Sequence, residues 1–431
     1  MVQAATTAIV ISWYGAGRLP GADLTYGLLA VASLIPLVGL RKSGYEIRWR
    51  YLSPAVLMAA FLLLAVNNPS HMERMDEGGW LPNPDWSPWL PTTMHPTATF
   101  HLGSLLVATL IQAGALAAVK IPRRYSRRLW AVLVVNAVAL SLFGATLKFS
   151  GSPQFMGIIE TKLHYFFSTF TYRNHWAAYA LLMMSVAGGL SLSNWRRAQI
   201  DPRLQDRARF FAVAAILISF TPLLPGSRSG MILVVMLSIA LLVTFVVLKY
   251  RSRSSTRNTS LVFALVALLT LITVGMMAWP SMEHRFRSEG RDVATGMDLR
   301  NNLRIDLTVD TIAMAQERPW FGWGLGSYKW VFPQFQGDYL RDEDGTITAL
   351  VDKAHNEWAQ SWAELGVIGS LIVLLPGILI GFVNWRRADT AGKWGLIGVG
   401  MVAGYAFVDF PLRNLAIAHH FVVILVTVPR R

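Results

Sequence analysis

The 431-residue sequence contains no cysteine, which excludes disulfide frameworks, zinc–thiolate sites, iron–sulfur clusters and a thiol nucleophile. Charge is scarce as well: 15% of residues are charged and 53% are hydrophobic. The mean hydropathy of +0.41 is too high for an ordinary soluble domain. Acids are fewer than bases, 25 against 39, but the net charge of +14 does not point to nucleic acid, because the bases lie mostly in short stretches between apolar runs. No Gly-x-x-x-x-Gly-Lys loop and no His-Glu-x-x-His occurs, so an ATP-driven pump and a zinc hydrolase lack their signatures. The nine histidines are scattered apart from His419-His420, so neither a metal site nor a cofactor is expected. Fixed-period repeats and low-complexity tracts are missing too.

What is present is a series of runs of roughly 15 to 20 apolar residues, the length a helix needs to cross a hydrocarbon core of about 30 Å. They are expected at 2–16, 25–40, 52–66, 99–119, 129–147, 174–193, 208–224, 229–249, 260–279, 366–384, 394–410 and 414–428. The fold class is therefore all-α, a polytopic membrane protein of about twelve spans in a single membrane domain, 1–431. Basic clusters at Arg41–Arg50, Lys120–Arg128, Arg196–Arg209, Lys249–Arg257, Arg386–Lys393 and Arg430-Arg431 alternate with connections that hold most of the acids, which puts both termini on the cytoplasmic side. Met1 to Gly15 lacks a basic leader and a small-residue cleavage site, so it reads as a retained first span. On the outer side the connections are 67–98, rich in Pro and Trp, the aromatic 148–173, and the long loop 280–365. Within that loop Leu299, Leu303, Leu307, Thr311 and Met314 recur at helical spacing over 297–316, predicting an amphipathic helix that caps the helix mouths.

Several residues have the chemistry of an anion or proton-transfer site. Ser227-Arg228-Ser229-Gly230 opens the span 229–249, where helix-end amides beside a guanidinium favour a phosphate; an arginine held at headgroup level is the alternative. Arg173-Asn174-His175 opens the span 174–193 in the same way, with Tyr172 and Trp176 equally suited to an aromatic belt. Arg300 and Arg304 share a face of the cap helix and suit a pyrophosphate clamp, ordinary solvated ion pairs being the bland reading. His355 and Asn356 begin a helical stretch, Asn356 to Leu365, and a helix N-terminus biases an imidazole towards its neutral, proton-accepting form. Glu357 and Glu364 lie on one face of that stretch, and Glu364, at membrane depth, is expected to pair with one of the arginines 173, 228, 300 or 304. Gly322 to Gly326 reads as a turn after Pro319.

Taken in order, these segments resemble the O-antigen ligase and polymerase family of bacterial envelope enzymes. The likeness runs from about residue 90 to 415 through Leu90-Pro91-Thr92-Thr93 with Pro96 and Thr97, Arg173-Asn174-His175, Ser227-Arg228-Ser229-Gly230, Arg304 before Arg318-Pro319-Trp320-Phe321-Gly322, His355-Asn356 before Glu364-Leu365-Gly366, and Asp409-Phe410-Pro411-Leu412-Arg413. The resemblance implies a GT-C-like inner-membrane enzyme with its active site facing the periplasm. It also implies an inverting transfer, without metal or nucleotide, of a glycan from undecaprenyl pyrophosphate to an acceptor hydroxyl. The family's essential arginines and histidine match Arg228, Arg304 and His355. Arg173, His175, Arg300, Asn356 and Glu364 stand as substrate-binding candidates. The implied partners are the lipid-linked donor, membrane lipids and an acceptor: a lipid A core sugar for a ligase, another repeat unit for a polymerase, or a protein hydroxyl. No nucleic acid is among them. A lipid-linked sugar flippase is the alternative from another class, and its charges would line a central route.

Overall fold

The computed structural model describes all residues except 74–79, 153, 161–165, 251–298, 342–343, 345 and 348–349, and the side chains of all these except residues 73, 160, 228 and 299–302. The chain is mostly helical: α1 (Val2–Trp13), α2 (Ala22–Ala32), α3 (Ile35–Lys42), α4 (Ser53–Val66), α5 (Pro96–Ala117), α6 (Arg123–Phe149), α7 (Arg173–Ala198), α8 (Gln205–Phe220) and α9 (Arg228–Tyr250) precede the long loop. The loop contributes α10 (Leu299–Glu317) and the short α11 (Tyr328–Val331), and α12 (Glu357–Arg387), α13 (Thr390–Tyr405) and α14 (Leu415–Val426) complete the bundle. Among the described residues seven segments are long and apolar enough to cross a membrane: Ala22–Lys42, Trp49–Val66, Pro96–Ala117, Arg123–Phe149, Arg173–Ala198, Ser229–Tyr250 and Glu357–Arg387. Every expected span has helix at its place except 260–279, which lies outside the described residues.

Helix α7 is the hub. Its spanning window is 94% buried, and small residues let its neighbours close in: Gly188 faces Leu241 of α9, while Gly189 faces Ala391 and Trp394 of α13. Without a hydrophobic drive between helices in lipid, such close backbone approach is what holds them together.

Two departures from the expected spans shape the end of the bundle that carries the long loop. The span expected at 394–410 stops at Tyr405, because Pro411 has no N–H to donate and biases Phe410 away from helical geometry. Residues 406–414 thus form a connection that carries Asp409, Phe410 and Arg413. The second departure is a break in α12 at Gly366, where φ is +65° and ψ −174°. There the segment after Arg318 replaces the missing helical hydrogen bonds: Val367 N donates to Pro319 O at 2.8 Å and Ile368 N to Trp320 O at 3.1 Å, while Trp323 N and Gly324 N donate to Ala363 O and Glu364 O, both at 2.9 Å. The turn expected at Gly322–Gly326 is therefore a plug that completes a broken helix.

The described part of the long loop packs at this same end of the bundle. Leu307, Met314, Trp323, Tyr328, Phe332 and Ala363 belong to one buried cluster, so the apolar stripe of α10 faces inward as its spacing predicts. The connection 67–98 joins the same layer, with Met94 N donating to Trp323 O at 3.0 Å and the Thr93 hydroxyl 2.6 Å from Thr99 and 3.2 Å from Ser327.

Candidate active site

His355 precedes Asn356, the N-cap of α12, whose Oδ1 accepts from Ala359 N at 3.1 Å. Asn356, expected as a substrate contact, is thus occupied as a helix cap. His355 itself has φ +52°, a left-handed conformation that histidine tolerates better than most side chains but that costs about 1–3 kcal/mol. Its half-buried ring packs 5.3 Å from the ring of Phe410, and among the described residues its buried Nδ1 has no hydrogen-bond partner. Burial is the largest influence and holds the imidazole below the usual histidine value; Asp409 pulls it back up and the charge of Arg304 pushes it further down. The neutral form therefore prevails at neutral pH, as a proton acceptor requires.

Asp409 is 1% exposed. Its carboxylate accepts from Asn174 Nδ2 and from Phe410 N at 2.9 Å. Burial pushes its pKa up, while those hydrogen bonds, His355 and Arg304 pull it down. Asn174 in turn accepts a hydrogen bond from Ser227 Oγ at 2.7 Å. One polar chain therefore runs from Ser227, the residue before Arg228, through Asn174 at the start of α7 to Asp409 beside His355. Arg304 is half-buried on α10, and its charge acts on Tyr172, His355 and Asp409 together.

The helix starts expected at Arg173 and Arg228 are where the spacing put them. Gly230 lets the start of α9 press against α7, since a Cβ there would lie 2.2 Å from that of Ala177. The side chains of Arg228 and Arg300 lie outside the described set. Arg173 is half-buried at the first residue of α7. His175 is 1% exposed and its ring meets Tyr172 and Phe410 edge-on at 5.0 and 5.3 Å. It therefore supports the aromatic wall behind the site and presents no free surface to a substrate.

The expected partner of Glu364 needs correction. Glu364 pairs with Arg413 at 2.5 Å, an arginine outside the set named from the sequence, and also accepts from Gln360 Nε2 at 3.1 Å. The reason is the early end of α13, which leaves Arg413 in a turn that stacks on the broken helix. Glu357, on the same face, accepts from Leu412 N at 3.0 Å. The two acids thus brace the turn carrying Asp409.

Asp409 is the residue that the spacing argument gave no role. An acid within an otherwise apolar stretch is costly unless it is used or paired, and that signal would have singled it out. Asp409→Asn is expected to lower turnover by about 10²-fold and to move the acid limb of the pH profile to lower pH. The sign follows from charge: the carboxylate raises the His355 pKa, so removing it lowers that pKa. A loss of folded protein with an unmoved limb would indicate a structural role only.

Comparison with known proteins adds an independent observation. Residues 213–374 match the family model described as O-antigen ligase; the stretch includes Arg228, Arg300, Arg304, His355, Asn356 and Glu364 and leaves out Arg173, His175 and Asp409. A curated Haemophilus influenzae protein, described as an uncharacterized protein, is 24% identical over 174 residues, which is 38% of this chain and 41% of that protein. The chain thus spans less than half the length of this relative. The family match supports a membrane glycan-processing enzyme of the O-antigen ligase and polymerase type.

Proposed function

We propose, with the O-antigen ligase family as the premise, that this protein transfers a glycan from undecaprenyl pyrophosphate to an acceptor hydroxyl at the periplasmic face of the bacterial inner membrane, the acceptor being a lipid A core sugar. The observation that carries the reading is the convergence of His355, Arg304 and Asp409 with the polar chain to the start of α9. A departing lipid pyrophosphate concentrates negative charge. Arg304, Arg228 and the first amides of α9 supply donors suited to that charge as it develops.

Neutral His355 takes the proton of the acceptor hydroxyl as its oxygen attacks the anomeric carbon from the face opposite the pyrophosphate. The C–O bond to the pyrophosphate breaks, the new glycosidic bond forms with inversion, and the polyprenyl pyrophosphate leaves as an anion. Asp409 stabilises the imidazolium that results, and Asn174 keeps Asp409 in place.

Arg228→Lys is expected to reduce the transfer rate by about 10²–10³-fold, because an ammonium cannot reproduce the two-pronged contact of a guanidinium. Near-normal turnover would assign Arg228 to the lipid headgroups. A chelator is expected to leave the rate unchanged; a loss restored by divalent ions would remove the metal-free step. The acceptor is tested in a deletion strain. Loss of long chains from the core with lipid-linked polymer retained supports a ligase, whereas cores bearing single repeats indicate a polymerase.

A further inference from the structure

The opposite end of the bundle has a second feature that the transfer reaction does not use. Helix α12 runs from Glu357 at the candidate site to Arg387, and the 20 residues from Glu364 to Asn384 put roughly 30 Å between the two ends. There the ends of α5, α12 and α14 enclose a cavity of about 160 Å³ walled by Leu116, Ile121, Leu379, Val383 and Val428. Leu379 and Val383 are 55% and 44% exposed on the outside of the helix bundle, so the cavity opens where a spanning protein meets lipid. Its polar lining includes Tyr51, Asn384 and Arg430.

Arg430 donates to Asn384 Oδ1 at 3.2 Å, which fixes the guanidinium beside the mouth. Arg387 and Arg48 are close enough for their charges to act on it. Among the described residues none of these three arginines is paired with a carboxylate. Two other basic residues at this end behave differently: Arg123 and Arg127 both reach Asp389, at 2.8 and 2.7 Å. Trp49 and Trp385, each with a substantially exposed ring, lie on flanking segments, as side chains at headgroup level do. A narrow apolar slot beneath uncompensated cations matches one ligand chemistry, an acyl chain under a phosphodiester.

We propose that this groove binds an anionic phospholipid, one acyl chain lying between the ends of α5, α12 and α14 and the phosphate resting on Arg430 with Arg48 and Arg387 beside it. Cationic pockets between spanning helices select anionic headgroups in this way, at about five-fold in affinity for each basic residue near the surface. The lipid would bridge the last turn of α14 and the end of α5, two helices that pack on each other.

The test uses the full chain in nanodiscs of equimolar phosphatidylglycerol and phosphatidylethanolamine, with native mass spectrometry reading the lipids retained on release. Wild-type protein is expected to keep phosphatidylglycerol in preference, and Arg48→Gln with Arg430→Gln to lose that preference by about 25-fold, two steps of the five-fold effect. Val383→Trp should expel the lipid by filling the slot without touching an arginine, and Arg430→Lys, which keeps the charge, should retain it. Inorganic phosphate offered alone should not bind. Equal retention of both lipids by the wild type, an unchanged preference in the double variant or in Val383→Trp at an unchanged melting temperature, or tight binding of phosphate alone would overturn the proposal.

Discussion

His355→Ala is expected to lower glycan transfer by about 10²–10⁴-fold, the usual worth of a positioned general base, while leaving a folded membrane protein. The ring is half-buried and, among the described aromatic side chains, rests on Phe410, so its removal leaves only a small gap. The backbone is the harder constraint, since alanine at φ +52° is strained. His355→Asn separates the two effects, because asparagine accepts left-handed geometry yet cannot take a proton near neutral pH. It should be as inactive as the alanine variant and at least as stable. Burial holds the His355 pKa below the histidine norm, so wild-type kcat/KM should be flat through neutral pH and fall only as pH drops through that lowered value. A rate that rises on acidification would assign His355 the opposite role.

Gly366→Ala is expected to destabilise the protein by about 2–6 kcal/mol, from two additive causes. The backbone at φ +65° and ψ −174° lies in a region that essentially only glycine occupies. In addition, a Cβ would lie 2.3 Å from the Trp320 carbonyl carbon and oxygen and 2.4 Å from Phe321 N. These are backbone atoms of the plug, which cannot retreat without breaking the hydrogen bonds that complete α12. Since domains are stable by only about 5–15 kcal/mol, much of that margin would be lost. Gly400→Ala is the control: it is helical and a Cβ there meets nothing within 4 Å. Thermal unfolding of the purified variants checks the contrast, and equal melting temperatures would mean that the break is not a fixed point of the fold.

The local signals in the sequence were reliable where one segment determined its own structure. Among the described residues apolar run length located the helices, and the helix starts at Arg173, at Arg228 and next to Asn356 followed from residue type and order. The apolar stripe of α10 faced inward as its spacing required. What could not be read was pairing over distance. Glu364 and Arg413 are 49 residues apart, and nothing in either segment names the other. The end of α13 at Tyr405 was misjudged because apolar residues continue past it, although Pro411 was in view. That misjudgement hid Asp409, which looks like the tail of a span until the chain is seen to turn. Likewise Thr93 of Leu90-Pro91-Thr92-Thr93, one of the motifs that carried the resemblance, lies 3.2 Å from Ser327, where it helps fasten two connections together.

The most direct measurement is transfer by the purified protein from a synthetic polyprenyl-pyrophosphate glycan, following acceptor glycosylation and polyprenyl pyrophosphate release together, with donor binding measured separately. Wild-type protein should yield both products in equal amounts; His355→Asn should bind donor and form neither, and Arg304→Ala should lose about 10²–10³-fold in rate. Full-rate transfer by either variant would contradict a site built on those two residues.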